Sequence, residues 1–330
     1  MKAILIDKTN NETKLYVDDK IPTPQLGPNE ILVQHKATAL NRADLLQKKG
    51  LYNTPKGESP ILGLEMAGVV VDRGPNVTKW STGDAVFGLL PGGGYAEYST
   101  LHEEMAIPKP NNITFVEAAG IAETFLTAYQ ALFWLGNLQQ NEKILIHAGA
   151  SGVGTSAIQL AKFKTSNIYV TAGKKKKIDR CTELGAREGI NYKNNDFQLE
   201  IERFTNGQGV DLIIDFIAAD YWKQNIQSLA VDGRMVLLAL LGGHKLNQPS
   251  SLVPMLKKRL TIKGTTLRSR SLEYKKALTA SFQSDFYEEL SRGNIAPVID
   301  SVYSWHQAEE AHKRMASNQN TGKIILEIES

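Results

Sequence analysis

Cysteine is nearly absent: Cys181 is the only one in 330 residues, which excludes an intrachain disulfide and a four-cysteine zinc lobe. No segment approaches the run of about eighteen apolar residues that reads as a membrane helix. The opening Met1-Lys-Ala-Ile-Leu-Ile-Asp7 alternates like a strand and is too short for a signal-peptide core. Neither secretion nor membrane insertion is expected, and a cytoplasmic setting suits the chain. An excess of one charge is also missing. The 38 basic and 35 acidic residues leave +3, too balanced for a dedicated nucleic-acid binder, and no basic stripe is interleaved with aromatics. The six histidines, His35, His102, His147, His244, His306 and His312, show no H-E-x-x-H or comparable metal spacing. They read as surface or structural residues, with His306, His312, Glu309 and Glu310 forming a solvated helix face. No low-complexity tract or internal repeat is visible.

What remains is an ordinary globular composition, 42% hydrophobic and 22% charged, in a chain too long for one compact core. Two domains are expected. Strand-like runs at 3–6, 14–17, 31–39, 68–71, 85–89 and 95–99 are punctuated by Pro22, Pro24, Pro28, Gly74-Pro75 and Gly92-Gly93-Gly94. They suggest an irregular β-barrel-like domain, interrupted by a helix over 41–48 that Gly50 ends. From residue 116 the period changes to one long apolar helix through Phe125, Tyr129 and Trp134 to Gly136. Strands at 143–147, 168–171, 188–191, 210–217, 234–240 and 261–266 then alternate with helical stretches such as 198–204 and 222–229, the pattern of a doubly wound parallel sheet. A helix over 273–290, a strand over 297–303, a helix over 307–316 and a strand over 323–328 close the chain. The expected division is 1–122, 123–268 and 269–330, the last rejoining the first, with a ligand cleft beside the carboxyl ends of the parallel strands.

The most informative stretch is Lys143-Ile-Leu-Ile-His-Ala-Gly-Ala-Ser-Gly-Val-Gly-Thr155, which reads as a buried strand, a glycine-rich turn and a helix start. Gly149, Gly152 and Gly154 permit a sharp turn and close approach. The helix opening near Val153 offers unpaired N–H groups and a positive dipole end to a pyrophosphate. Its spacing is G-x-x-G-x-G rather than G-x-G-x-x-G, so alone it is moderate evidence for a nucleotide. The next strand ends at Gly173, where an NAD site places an acidic residue, and Lys174, Lys175, Lys176 and Lys177 follow instead. Lysines opening a helix oppose its dipole and repel one another, and an anion such as the 2′-phosphate of NADP removes that conflict. Lys177 is the chief candidate, with a hydroxyl from Tyr192. A solvated lysine-rich helix start is the alternative. Lys257-Lys258-Arg259 reads as a solvated basic face, and Asp211 and Asp215, bracketing an apolar strand, as structural.

Taken together, Ala39-Leu-Asn-Arg-Ala-Asp-Leu45, Gly63-Leu-Glu-Met-Ala-Gly68, Asn141-Glu-Lys-Ile-Leu145, the Gly149–Gly154 loop, Gln159 and Lys162 resemble the medium-chain dehydrogenase/reductase superfamily over nearly the whole chain. The resemblance is to its zinc-free quinone oxidoreductase branch, which includes zeta-crystallin. It implies a GroES-like catalytic domain and a Rossmann domain. That branch usually carries two adjacent glycines where this chain has Ser151-Gly152. Serine there, with Pro91-Gly-Gly-Gly94 and Thr171-Ala-Gly173, is closest to its tumour-suppressor-induced members. Ser151 is either a working residue or a helix cap. Zinc-dependent relatives carry cysteine where this chain has Asn41 and histidine where it has Leu64.

The resemblance implies NADPH across the glycine loop and a quinone reduced without flavin or metal. It points to Tyr52 as hydrogen-bond donor to the acceptor oxygen, Asn41 as orienting residue and Asp44 as a positioning residue or a helix-surface carboxylate. It adds weaker cofactor contacts at Thr127, Leu241, Gly242, Thr266, Leu267 and Arg268. A homodimer is implied by resemblance only. Reduction of activated carbon–carbon double bonds is an alternative that nearly the same residues serve. A third possibility is a nucleotide-binding structural protein, crystallin-like or RNA-binding, with negligible turnover.

Overall fold

The computed structural model describes residues 1–7, 13–246 and 251–329. The chain divides into two compact units, Met1–Leu126 with Arg268–Ser330, and Thr127–Leu267. Among the described residues no helix is long and apolar enough to cross a membrane.

The first unit is built on a seven-stranded sheet. Strand Glu30–Ala39 lies at its centre, with Glu65–Arg73, Tyr98–His102 and Lys323–Glu327 all antiparallel to it. Ala85–Leu89 and Ala106–Pro108 extend one side, and Ile299–Ser304 pairs in parallel with Lys323–Glu327 on the other. Burial along Glu30–Ala39 alternates for most of its length, the signature of one face against a core. A buried cluster of Ile4, Leu40, Leu62, Tyr95, Trp305, Met315 and Leu326 gathers residues from both ends of the chain. The strand expected at 95–99 begins only at Tyr98, because Tyr95 is turned wholly into this core. Helix Arg42–Lys48 is opened by Asp44, whose carboxylate accepts the Asn41 backbone N–H, and Gly50, at φ 72°, ends it as expected.

The single long helix expected after residue 116 is three segments. Thr114 and Glu117 form a capping box on the short helix Phe115–Ala118, and the ladder then breaks, with Gly120 and Ile121 bonding back only three residues. Helix Ala122–Tyr129 follows and runs into a π-helical turn, Gln130–Leu135. The mainly apolar content of 115–135 hid these interruptions from the period.

The second unit holds a six-stranded, wholly parallel sheet: Glu188–Asn191, Ile168–Ala172, Ile144–Ile146, Val210–Asp215, Leu229–Leu237 and Thr261–Gly264, in that spatial order. Numbered along the chain this is 3-2-1-4-5-6, the doubly wound order whose ligands bind outside the carboxyl ends of the strands. Leu145, Tyr169, Phe197, Ile201, Ile213 and Met235 fill a core cluster on the sheet. Of the basic triplet, Lys257 and Arg259 are exposed, as a solvated face requires, whereas Lys258 is committed to the fold. Lys258 Nζ donates to the carbonyls of Ile226, Gln227 and Leu229 at the end of helix Trp222–Ser228, and Arg259 pairs with Asp232.

Candidate active site

In the second unit the first strand leads through Ala148, at φ 48°, into the glycine loop and helix Gly152–Ala161. Ser151 is the N-cap: its Oγ accepts the Gly154 N–H at 3.0 Å. A side chain at Gly154 would collide with the Ala148 carbonyl, and one at Gly149 with Val170. The N–H groups of Gly152 and Val153 have no partner among the described residues. These two donors at a positive dipole end fit a pyrophosphate. The Thr127 hydroxyl is buried without a hydrogen-bond partner among the described residues, a polar group that a bound ligand would satisfy.

The next strand delivers Gly173, where a side chain would strike the Tyr192 hydroxyl, so these two predicted residues are neighbours. Helix Lys175–Glu183 starts at once, capped by Lys174 with no side-chain bond. Lys175 is tied to Asp179 one turn on, and Lys177 is half-buried. Beyond the fourth strand, Asp215 accepts from the N–H groups of Ile217 and Ala218 and from Asn225, whose carbonyl meets His147 at 2.7 Å. This fixes the turn on which Leu241 and Gly242 rest through bonds to Phe216 and Ile217. Asp215 is therefore structural, as is Asp211, which accepts the Lys143 N–H. Thr266 is exposed and Leu267 buried just after the last strand.

The first unit concentrates the remaining predicted residues. Asn41 donates to Glu65 Oε1 at 2.8 Å and accepts from Lys323 Nζ at 2.8 Å. Its side chain is thus committed to two buried ions. Lys323 Nζ also reaches Glu65 at 2.7 Å and the Leu40 carbonyl at 2.7 Å, so all three of its donors are used. The second Glu65 oxygen accepts the backbone N–H of Glu123 at 2.9 Å.

Asp44 is no helix-surface carboxylate. It is buried, accepts from the N–H groups of Asn41 and Gly63, and stands 3.4 Å from the Tyr95 hydroxyl. Burial pushes its carboxyl up to about 6 against the pull of those N–H groups. Tyr95 in turn meets His312 at 3.1 Å. His312 is only 3% exposed, which overturns the solvated-face expectation for it; burial drives its imidazole down to about 4.

Arg268 is buried in this same unit, bonded to the Pro91 carbonyl and Gln47 at 2.7 Å each, with its guanidinium 5.5 Å from the Tyr52 ring centroid. Its Nη2 is buried and, among the described residues, has no partner. Burial, then the Glu123 carboxylate, raises the Tyr52 phenol, which therefore stays protonated and able to donate. Glu123 itself, in the first turn of helix Ala122–Tyr129, is raised to about 8 by burial and then by Glu65.

The structure thus brings Tyr52, Asp44 and Arg268 into one electrostatic group, and Gly173 beside Tyr192. Sequence reasoning missed Glu65, Lys323 and Glu123. Glu65 stood inside the quoted glycine motif without a role. Lys323 and Glu123 are lone charges opening apolar runs, a signal that could have marked them as paired or perturbed. Among the described residues no group of three or more His, Cys, Asp or Glu side chains is placed to hold a metal ion.

The alcohol dehydrogenase GroES-like domain family matches residues 27–111, and the zinc-binding dehydrogenase family residues 152–283. The chain is 30% identical, over 94% of its length, to a mycocerosic acid synthase-like polyketide synthase of Mycobacterium tuberculosis, of which it spans only 14%. It is 29% identical to the quinone oxidoreductase of Sus scrofa, over 95% of this chain and 93% of that protein. A solved NAD-dependent alcohol dehydrogenase superposes with a TM-score of 0.86 at 30% identity, covering 100% of both chains. The CurK enoyl reductase superposes at 0.83 and 25% identity, over 99% of each. With the GroES-like unit, the 3-2-1-4-5-6 parallel sheet and the glycine loop already in place, these matches show that the chain belongs to the medium-chain dehydrogenase/reductase superfamily, a group of oxidoreductases that bind nicotinamide cofactors.

Proposed function

We propose that the chain is an NADPH-dependent quinone oxidoreductase of the zeta-crystallin branch, working without flavin or zinc. The observation that carries the coenzyme choice is the junction of Gly173 with helix Lys175–Glu183. The Tyr192 hydroxyl abuts the glycine, four lysines open the helix, and no carboxylate stands where a ribose would need one. The N–H groups of Gly152 and Val153 would hold the pyrophosphate, and Lys177 with Tyr192 the 2′-phosphate. Thr127, Leu241, Gly242, Thr266 and Leu267 are assigned to the remainder of the cofactor. When bound, the nicotinamide supplies a hydride.

Toward the acceptor, Tyr52 offers a phenol O–H hydrogen bond and Arg268 an unused N–H donor, both suited to an oxygen that gains negative charge. Asn41 and Asp44 are assigned as positioning residues. Asn41 joins the Glu65–Lys323 pair, while Asp44 pins the Gly63 backbone. Neither cysteine nor histidine occupies positions 41 and 64, so the polar donors are hydroxyl and guanidinium. The relationship to a quinone oxidoreductase over nearly both full lengths favours a quinone. Similarity to an enoyl reductase favours, as second choice, an activated carbon–carbon double bond.

The deciding experiment is anaerobic oxidation of NADPH and NADH by metal-stripped protein, with an ortho-quinone and an α,β-unsaturated ketone offered in parallel. Rapid, NADPH-selective quinone turnover is expected. Preferential enone turnover would make the protein an alkene reductase, and binding without turnover a nucleotide-binding structural protein. The branch assignment also implies a homodimer, which light scattering would refute by returning a monomer mass.

A further inference from the structure

Glu123 is the one carboxyl of the first unit's polar group that is left without a partner. Its backbone N–H is spent on Glu65, but among the described residues its side chain makes no hydrogen bond or ion pair. The cation that would neutralise it is already taken: Lys323 gives its three donors to Glu65, Asn41 and the Leu40 carbonyl. Glu65, fully buried and paired with Lys323, is a like-sign neighbour of Glu123, whose backbone N–H its second oxygen accepts. Asp44 adds a second negative neighbour. Arg268 also acts on Glu123, but its Nε and Nη1 are committed to Pro91 and Gln47; Lys275, on helix Leu272–Ser291, also feels the Glu123 charge. Burial and Glu65 outweigh these cations, so the carboxyl keeps its proton up to about 8.

The same residue is, after burial itself, the largest influence on the Tyr52 phenol. Arg268 lies 5.5 Å from the Tyr52 ring centroid, and the Glu123 carboxyl, free of hydrogen bonds and ion pairs among the described residues, acts electrostatically on both. The mechanism proposed above uses Tyr52 and Arg268 to stabilise a developing oxyanion but gives that oxyanion no proton.

We propose that Glu123 is the proton donor of the site, delivering its carboxyl proton to the acceptor oxygen beside Tyr52. This rests on the reductase function proposed above. Hydride transfer oxidises the reduced nicotinamide and places two electrons on the quinone, leaving an oxyanion. The O–H bond of Glu123 then breaks, its electron pair remaining on the carboxylate, and a new O–H bond forms on the acceptor. Water reprotonates Glu123, which is only partly buried, before the next turnover. For an enone the same proton would go to the α carbon.

The test pairs a measurement without turnover with one that requires it. Infrared spectra at neutral pH should show a carboxylic-acid carbonyl band in the wild type that Glu123→Gln lacks. In steady state, wild-type kcat should fall as pH rises through about 8. Glu123→Gln, which preserves shape and the backbone bond to Glu65, should lower kcat about a hundredfold, with unchanged NADPH affinity and no such alkaline limb. Glu123→Asp should regain part of the rate and the limb with it. A missing infrared band, or a Glu123→Gln enzyme with wild-type rate and pH profile, would overturn the assignment while leaving the reductase intact. A wild type that binds NADPH yet reduces no quinone or enone would instead overturn the reductase function, and this role with it.

Discussion

Lys323 Nζ and Glu65 Oε1 lie 2.7 Å apart in the interior of the first unit, joining the closing strand of the chain to a strand 258 residues earlier. The side chains are 4% and 0% exposed. Such a pair is a specifying contact rather than a generous source of stability, because desolvating both ions offsets their attraction. Removing one member is another matter. Lys323→Met should strand the Glu65 carboxylate and cost about 3–5 kcal/mol, read from urea unfolding. Combining it with Glu65→Leu should recover much of that loss. A single variant as stable as the wild type would mean that solvent reaches the pair.

Tyr52 is the residue on which the proposed chemistry turns, and its phenol can be removed without disturbing a fold-level bond. It is half-buried, and its ring is held from one side by Arg268. Tyr52→Phe keeps that cation–ring contact and deletes only the donor. The expected result is a kcat lowered on the order of tenfold to a hundredfold, with near-native thermal stability and cofactor affinity. Unchanged kcat would eliminate the phenol as donor.

For the coenzyme, Lys177→Ala should weaken NADPH binding by roughly tenfold or more while leaving NADH nearly untouched, since one charge-assisted contact is worth about 1.5–3 kcal/mol. The contrast should shrink at high salt if the lysines are solvent-screened. Equal loss for the two coenzymes, by fluorescence titration, would reject a 2′-phosphate at this helix.

The elements around these residues were legible to different depths. Strands Ala85–Leu89 and Glu188–Asn191 have the bounds that alternation and turn residues imply. The six parallel strands were visible because helix and strand periods alternate. The break at Gly120 was not, since both sides are apolar and only hydrogen bonding distinguishes them. His312 carried a readable signal that its acidic neighbours obscured. Ala308, Ala311, His312 and Met315 fall on one helical face, and all four are buried. Lys323 and Glu65 could not be paired from the chain, because nothing local links residues 258 positions apart. The site was legible as motifs, while its electrostatics belong to the tertiary structure.

Those electrostatics make a prediction about stability as well. Glu123 titrates near 4.5 when unfolded and near 8 when folded, so between these values the folded chain holds a proton that the unfolded chain has lost. Stability must then fall as pH rises through that window and level off above it. Asp44, raised from 3.8 to about 6, contributes in the same direction over its lower range. His35 and His312, both lowered from 6.5 to about 4, oppose it there: their neutral burial makes stability rise with pH up to 6.5. Below 6.5 the opposing slopes overlap, whereas from 6.5 to 8 the Glu123 contribution stands clear of them. Urea unfolding across that interval should show the wild type losing stability with rising pH and Glu123→Gln staying nearly flat. Parallel curves for the two proteins would place the ionisation elsewhere and return Glu123 to an ordinary solvated carboxylate.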